Sequence, residues 1–302
     1  MPDDVLTLED LRTWSAPGTA LAVLGHPIRH SVSPPMHNTA LAEMARTRPE
    51  FRDWRYHRFE VHPDDLPVAL ELLHGKRFLG INLTVPHKIL AVDLIRRVDP
   101  SALPINAVNT LLWQPGGYVG FNTDGYGLAE GLRHDLKLEL GSDPVILLGS
   151  GGAARGAAIE CLQRGCREIA IGNRTRRRAD ELTESLRALH PSAAIRTFDP
   201  AAPPADLPPD ALVINATSAG LKPADPEPID LSRLRGRPCV FDMIYNPPET
   251  ALLRSARRAG LACANGFSML IFQGVRSLGI WSKAEVPVDA MFRGARAGLT
   301  PS

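Results

Sequence analysis

The chain carries no excess of either charge: 34 Lys+Arg stand against 33 Asp+Glu in 302 residues, so no general basic field points to nucleic acid. No apolar run approaches the ~18 residues that a membrane-spanning helix needs. The opening, Met1-Pro2-Asp3-Asp4, is acidic and lacks an apolar leader core, and the expectation is a cytoplasmic protein. Four cysteines, Cys161, Cys166, Cys239 and Cys263, show no C-x-x-C spacing. Set inside expected strands or helices, they read as small core residues and not as disulfides or zinc ligands. Histidines are scattered, and His26 and His30 precede an expected helix without a fixed i,i+4 relation, so no metal site is expected. No internal repeat, low-complexity tract or surplus apolar stripe occurs, which leaves monomer and homodimer both open. What is present, 44% hydrophobic and 22% charged residues, is ordinary for a globular protein, at a length that usually makes two domains.

Strands and helices alternate along the chain, the pattern of parallel α/β sheets. Strands are expected at Leu21 to Leu24, Tyr56 to Val61 and Phe78 to Leu83, and helices at Pro34 to Ala45, Leu66 to Leu73 and His87 to Ile95. A hairpin follows at Val108 to Trp113 and Tyr118 to Phe121, turning on Pro115-Gly116-Gly117, and then a helix from Tyr126 to Leu136. Further buried strands are expected at Ala211 to Ile214 and Cys239 to Met243, with surface loops at Asp199 to Asp210 and Lys222 to Pro228.

The most informative stretch runs from Pro144 to Thr175. Val145 to Leu148 reads as a buried strand that feeds Gly149-Ser150-Gly151-Gly152-Ala153-Ala154, a G-x-G-x-x-A turn, and then a small-residue helix closed by Gly165. Glycines there let the backbone approach a pyrophosphate, and the helix N-terminus offers free N–H groups. A second strand, Glu168 to Gly172, ends in Asn173-Arg174 about twenty residues on, where NAD-binding folds usually hold an acid against the ribose 2'-hydroxyl. A carboxylate would repel a 2'-phosphate, whereas a guanidinium grips it. NADP is therefore the expected cofactor, with Arg174, Arg178, Asn173 and Thr175 around the phosphate. The plain alternative is a solvated first turn of the helix Ala179 to Leu189, capped by Thr175, which suits Arg176 and Arg177 better than Arg174.

Ahead of this unit, polar clusters stand where strands end. Gly25-His26-Pro27-Ile28-Arg29-His30-Ser31-Val32-Ser33-Pro34 follows the first strand, and Asn82-Leu83-Thr84-Val85-Pro86-His87-Lys88 follows another, at the carboxyl edge where open α/β sheets bind ligands. Ser33 before Pro34 suits a helix cap, and Thr84 suits a strand end. Ser31 has no evident capping role, and Lys88 near a helix start opposes the dipole. Asn106-Ala107-Val108-Asn109-Thr110 and Asn122-Thr123-Asp124-Gly125 complete the set, Asp124 being suited to a cap as well.

Together these motifs resemble the shikimate dehydrogenase family. They run in order from Gly25 to Gln273: G-x-P-I-x-H-S-x-S-P at 25 to 34, N-x-T-V-P-x-K at 82 to 88, A-V-N-T at 107 to 110, N-T-D-G at 122 to 125, G-x-G-G-A at 149 to 153, N-R-T-x-x-R at 173 to 178, N-A-T-S-x-G at 215 to 220, D-M-x-Y-x-P at 242 to 247 and N-G-x-x-M-L at 265 to 270. The one departure is Asn106, where many members have Gly.

The resemblance implies NADP-linked, reversible reduction of 3-dehydroshikimate to shikimate, a step toward chorismate and the aromatic amino acids. It implies Lys88 and Asp124 as the catalytic pair and Ser31, Ser33, Thr84, Asn109, Tyr245 and Gln273 as substrate ligands. Thr217, Ser218, Met243 and Gly266 would join Gly149, Ser150, Gly151, Gly152 and Ala153 in the cofactor site. The implied fold is an N-terminal α/β substrate domain, residues 1 to 123, a Rossmann-like domain, 124 to 264, and a C-terminal segment, 265 to 302, returning as helices to the first. A quinate/shikimate dehydrogenase shares the fold, but an acid would favour it at 173 to 174. A methylenetetrahydrofolate dehydrogenase-like enzyme fits the Ser31-x-Ser33 and Asn122-to-Gly125 motifs poorly. A non-catalytic NADP-binding sensor sits ill with an intact Lys88 and Asp124.

Overall fold

The computed structural model describes residues 5–299, and the acidic opening Met1 to Asp4 lies outside them. The described chain divides into two compact units, one holding the residues up to Thr123 and those from Ile271 onward, the other Asp124–Leu270.

The first unit opens with α1 (Leu8–Arg12), where Thr7 and Asp10 exchange capping hydrogen bonds. Then come β1 (Thr19–Gly25), α2 (Ser33–Thr47), β2 (Trp54–Glu60), α3 (Leu66–Gly75), β3 (Gly80–Leu83), α4 (His87–Leu90), β4 (Arg97–Val98), β5 (Thr110–Gln114) and β6 (Gly117–Phe121). The sheet order is β2-β1-β3-β5-β6-β4. It is mixed and not wholly parallel, because β5 runs antiparallel to both β3 and β6. Its core gathers Leu24, Phe59, Leu73, Phe78, Ile81 and Leu111, all fully buried.

Two local expectations fail for identifiable reasons. The helix foreseen from His87 to Ile95 is α-helical only to Leu90 and continues as a 3-10 turn over Ala91–Asp93. The carbonyl of Lys88 accepts the N–H of Val108 at 2.8 Å, which draws it away from the α-helical ladder. Ser33 is not the cap of α2 but its first residue, and Val32 at the cap makes no side-chain bond. Pro34 and Pro35 have no N–H for a Ser33 hydroxyl to cap, and the N–H of Met36 already reaches the Val32 carbonyl at 3.1 Å. Ser31, expected to have no such role, accepts the N–H of Ser33 on its Oγ at 3.3 Å.

The second unit contains α5 (Asp124–Leu136), β7 (Val145–Leu148), α6 (Gly152–Gln163), β8 (Glu168–Gly172), α7 (Arg176–Leu189), β9 (Ala194–Phe198), β10 (Leu212–Asn215), β11 (Cys239–Asp242), α8 (Ala251–Arg258) and β12 (Cys263–Asn265). All neighbours in its order, β12-β11-β10-β7-β8-β9, are parallel. Strand order reverses on either side of β7, the switch point beyond which such sheets hold nucleotides. Strand β9 escaped the sequence reading: it is an edge strand of Ala-Ile-Arg-Thr-Phe with no clean alternation of exposure. The cysteine reading needs one change, since Cys166 lies in the turn after α6, its Sγ 3.3 Å from the carbonyls of Asp143 and Glu168. All four cysteines are free; Cys161 and Cys166 are buried, Cys239 and Cys263 half-buried.

Two last helices follow, α9 (Phe267–Ser282) and α10 (Val288–Leu299). From Ile271 onward, and not from residue 265, they group with the first unit. The indole of Trp281 donates to the Leu111 carbonyl at 2.9 Å, which lays α9 on the first sheet. Arg293 of α10 pairs with Glu43 of α2.

Candidate active site

In the first unit β1 and β3 are parallel neighbours with Leu24 opposite Leu83, so the segments leaving their carboxyl ends start side by side. The N–H of Thr84 binds the Leu24 carbonyl at 3.0 Å, and the N–H of His87 binds that of Thr84 at 2.8 Å. Through the Val108 bond to its own carbonyl, Lys88 is tied to the start of β5, where Asn109 stands. The left-handed turn at Asn106 (φ 54°, ψ 38°) precedes it. There a glycine is free of strain and Asn is the next most tolerant residue, which explains the departure from the family's Gly.

Asn109, 2% exposed, is held on both faces. Its Oδ1 accepts from the backbone N–H of Thr123 at 2.9 Å, and its Nδ2 donates to the Thr123 hydroxyl at 3.0 Å and toward Gln273 Oε1 at 3.5 Å. Arg58, buried on β2, donates to the carbonyls of Arg29 and Ser31 and so fixes the loop that carries Ser31. Ser31, Thr84, Lys88 and Gln273 are half-buried, and Ser33 is buried. The fold thus brings Thr84, Lys88, Asn109 and Gln273 to one edge of this unit, beside the Ser31–Ser33 loop. Asp124 and Tyr245 belong to the second unit, where burial pushes the Tyr245 phenol up.

Sequence reasoning gave no role to Tyr56, Asn82, Thr110, Thr123 or Ser277, which form the buried polar floor beneath these groups. Asn82, Thr110 and Thr123 lay inside quoted motifs and could have been found. Tyr56 and Ser277 sit in an unremarkable strand and helix, and nothing in the pattern singles them out.

In the second unit the N–H of Gly149 binds the Gly172 carbonyl at 2.8 Å with φ at +111°, a conformation open to glycine. Ser150 is half-buried, while Gly151, Gly152 and Ala153 are exposed. Gly151 caps α6 without a side chain, so nothing blocks the helix N-terminus. This geometry fits a pyrophosphate. The N–H and hydroxyl of Thr217 both bind Asn215 Oδ1, at 3.1 and 2.7 Å, leaving Ser218 exposed beyond them. A Cβ at Gly266 would collide with the Met243 carbonyl, so glycine is what lets these two segments touch.

The arginine run separates into two kinds. Arg176 and Arg177 pair with Asp180 and Glu181 at 3.0 and 3.3 Å, one turn along α7, the solvated face that was foreseen. Arg174 and Arg178 are exposed and form no ion pair among the described residues. Asn173 donates to the Thr175 carbonyl at 2.9 Å. Thr175 occupies the cap of α7 but makes no side-chain cap bond, because the N–H of Arg178 takes its backbone carbonyl at 3.1 Å.

Residues 23–111 match the shikimate dehydrogenase substrate binding domain. An NADP-dependent shikimate dehydrogenase of Geobacter metallireducens is 37% identical over 286 residues, 92% of this chain and 96% of its own. The chain belongs to the shikimate dehydrogenase family. A shikimate dehydrogenase of Thermus thermophilus, solved with NADP(H) and shikimate, superposes with a TM-score of 0.81 at 32% identity, covering 93% of this chain and 100% of that one. A quinate dehydrogenase of Corynebacterium glutamicum, solved with NAD, gives the same TM-score at 26% identity over 93% of this chain and 99% of that one. The same fold is thus shared by a shikimate dehydrogenase and a quinate dehydrogenase. Among the described residues no helix is long and apolar enough to cross a membrane.

Proposed function

We propose that this chain reduces 3-dehydroshikimate to shikimate, reversibly and with NADPH, on the way to aromatic amino acids. One observation carries the reading. In the first unit Lys88, the only lysine of the polar motifs, shares one sheet edge with Thr84, Asn109, Gln273 and the Ser31–Ser33 loop. Short hydroxyls and amides in that density suit a small polyhydroxylated ring acid. Reduction of a ketone leaves negative charge on its oxygen, and a positioned ammonium stabilises that charge and returns the proton. Lys88 takes this part, with Asp124 as its carboxylate partner. Ser31, Ser33, Thr84, Asn109, Tyr245 and Gln273 hold the substrate's hydroxyls and carboxylate.

NADPH, when bound, supplies the hydride. The open N-terminus of α6 with Gly149 to Ala153 fits its pyrophosphate, and Thr217, Ser218, Met243 and Gly266 line the same sheet edge. Arg174 and Arg178, left out of the ion pairs of α7, suit the 2'-phosphate, with Asn173 and Thr175 beside them. In domain terms, residues 1 to 123 bind substrate, 124 to 264 bind NADP, and 265 to 302 support the first. The enzyme works in the cytoplasm as a monomer or homodimer, without nucleic acid. Absorbance of NADPH during oxidation of shikimate, compared with quinate, tests the reading. A higher kcat/KM for quinate moves the chain to quinate/shikimate dehydrogenases, and no turnover of either leaves a binding protein.

A further inference from the structure

The first unit buries a phenol at its centre. Tyr56 is 1% exposed, and its hydroxyl donates to Asn82 Oδ1 at 2.7 Å. The Asn82 amide, oriented by that bond, turns its Nδ2 toward the Asn109 carbonyl, Thr110 Oγ1 and Ser277 Oγ, at 3.0, 3.1 and 3.1 Å. Ser277, fully buried on α9, lies 2.7 Å from Thr110 Oγ1 and 3.2 Å from Thr123 Oγ1, and reaches the Gln273 carbonyl one turn back at 2.9 Å. An unbroken string of hydrogen bonds therefore runs from Tyr56 on β2, through Asn82 on β3 and Ser277, to the Gln273 carbonyl on α9, with a branch from Asn82 to the Asn109 carbonyl. Asn109 and Gln273, which it reaches, are substrate ligands in the function proposed above.

We propose that Tyr56 and Ser277 are positioning residues for substrate: by clamping the Asn82 amide from its two ends they set where Asn109 and Gln273 stand. The inference rests on the shikimate reading. Loss of the phenol would leave Asn82 Oδ1 without a donor in a dry interior, and the amide would flip or shift to recover one. Loss of the Ser277 hydroxyl would free the turn of α9 that presents Gln273. Burial pushes the Tyr56 phenol well up, so it stays a donor throughout the working pH range. A merely structural network would satisfy buried polar atoms and no more.

Tyr56→Phe, Ser277→Ala and the double variant separate these roles, with KM and kcat for shikimate, NADPH affinity by fluorescence titration and melting temperature as readouts. Wild-type oxidation of shikimate is the control for the underlying reading, and its absence sinks that reading, whatever the variants do. Each single variant is expected to raise KM for shikimate about tenfold with kcat changed less and NADPH affinity unaltered. In the double variant the KM increase should fall short of the product of the two, because both act through Asn82. A KM within twofold of wild type in both variants overturns the proposal. So does a KM that rises only in step with weaker NADPH binding and a lower melting temperature. Should one variant fail to fold, the other still decides between these outcomes.

Discussion

The ring of His37 lies flat on that of Tyr56, centroids 4.2 Å apart and planes 5° from parallel. His37 is fully buried, neither ring nitrogen has a hydrogen-bond partner, and burial lowers its pKa to about 3. His57 is lowered to about 4, by burial first and by Arg55 second. The native state thus prefers both rings neutral, while an unfolded chain takes up their protons from about pH 6.5 downward. Stability from these histidines is complete above that pH and is lost as pH falls toward 3 to 4. His37→Phe, which keeps the stack, should narrow the difference in melting temperature between pH 7 and pH 4.5. An unchanged difference would show that acid sensitivity resides elsewhere.

Lys88→Ala should lower kcat by about 10² to 10⁴, the usual worth of a positioned acid, with NADPH affinity nearly unchanged. A variant keeping more than about a third of wild-type kcat removes Lys88 from the chemistry.

The arginines just before and at the start of α7 divide cleanly for a mutational test. Arg174→Ala and Arg178→Ala should each weaken NADP binding about tenfold or more and barely affect NAD. Arg176→Ala, which breaks only an exposed i,i+4 pair with Asp180, should change neither. Calorimetric titration of 2',5'-ADP against 5'-AMP reads the phosphate contact without turnover. Equal losses in all three variants would favour a general field over a specific grip.

Gly266→Ala should cost about 1 to 3 kcal/mol of stability, because the added methyl meets the backbone carbonyl of Met243 and not a movable side chain. Thermal unfolding measures it, and NADPH affinity should fall with it. A melting temperature equal to wild type would mean that the loop after β11 yields freely.

Local sequence was enough wherever a function depends on backbone conformation or on a contiguous motif. Val145 to Leu148 and Glu168 to Gly172 form strands with the expected bounds. The glycine turn between them was legible because its first residue, Gly149, takes a φ of +111° that favours glycine, and Asn106 takes a left-handed turn that Asn tolerates nearly as well as Gly. What the sequence could not decide is which distant groups compete for the same hydrogen bond. Lys88 gives its carbonyl to Val108, twenty residues on, so α4 stops early. Ser33 begins α2 instead of capping it, since two prolines remove the donors that a cap there would serve, and Val32 takes the cap without a side-chain bond. Ser277 lies 195 residues from Asn82 and yet shares its amide proton at 3.1 Å. Periodicity and motif are properties of neighbours in sequence, whereas the partners of a buried polar atom are chosen by packing, and packing exists only once the helices have closed on the sheet.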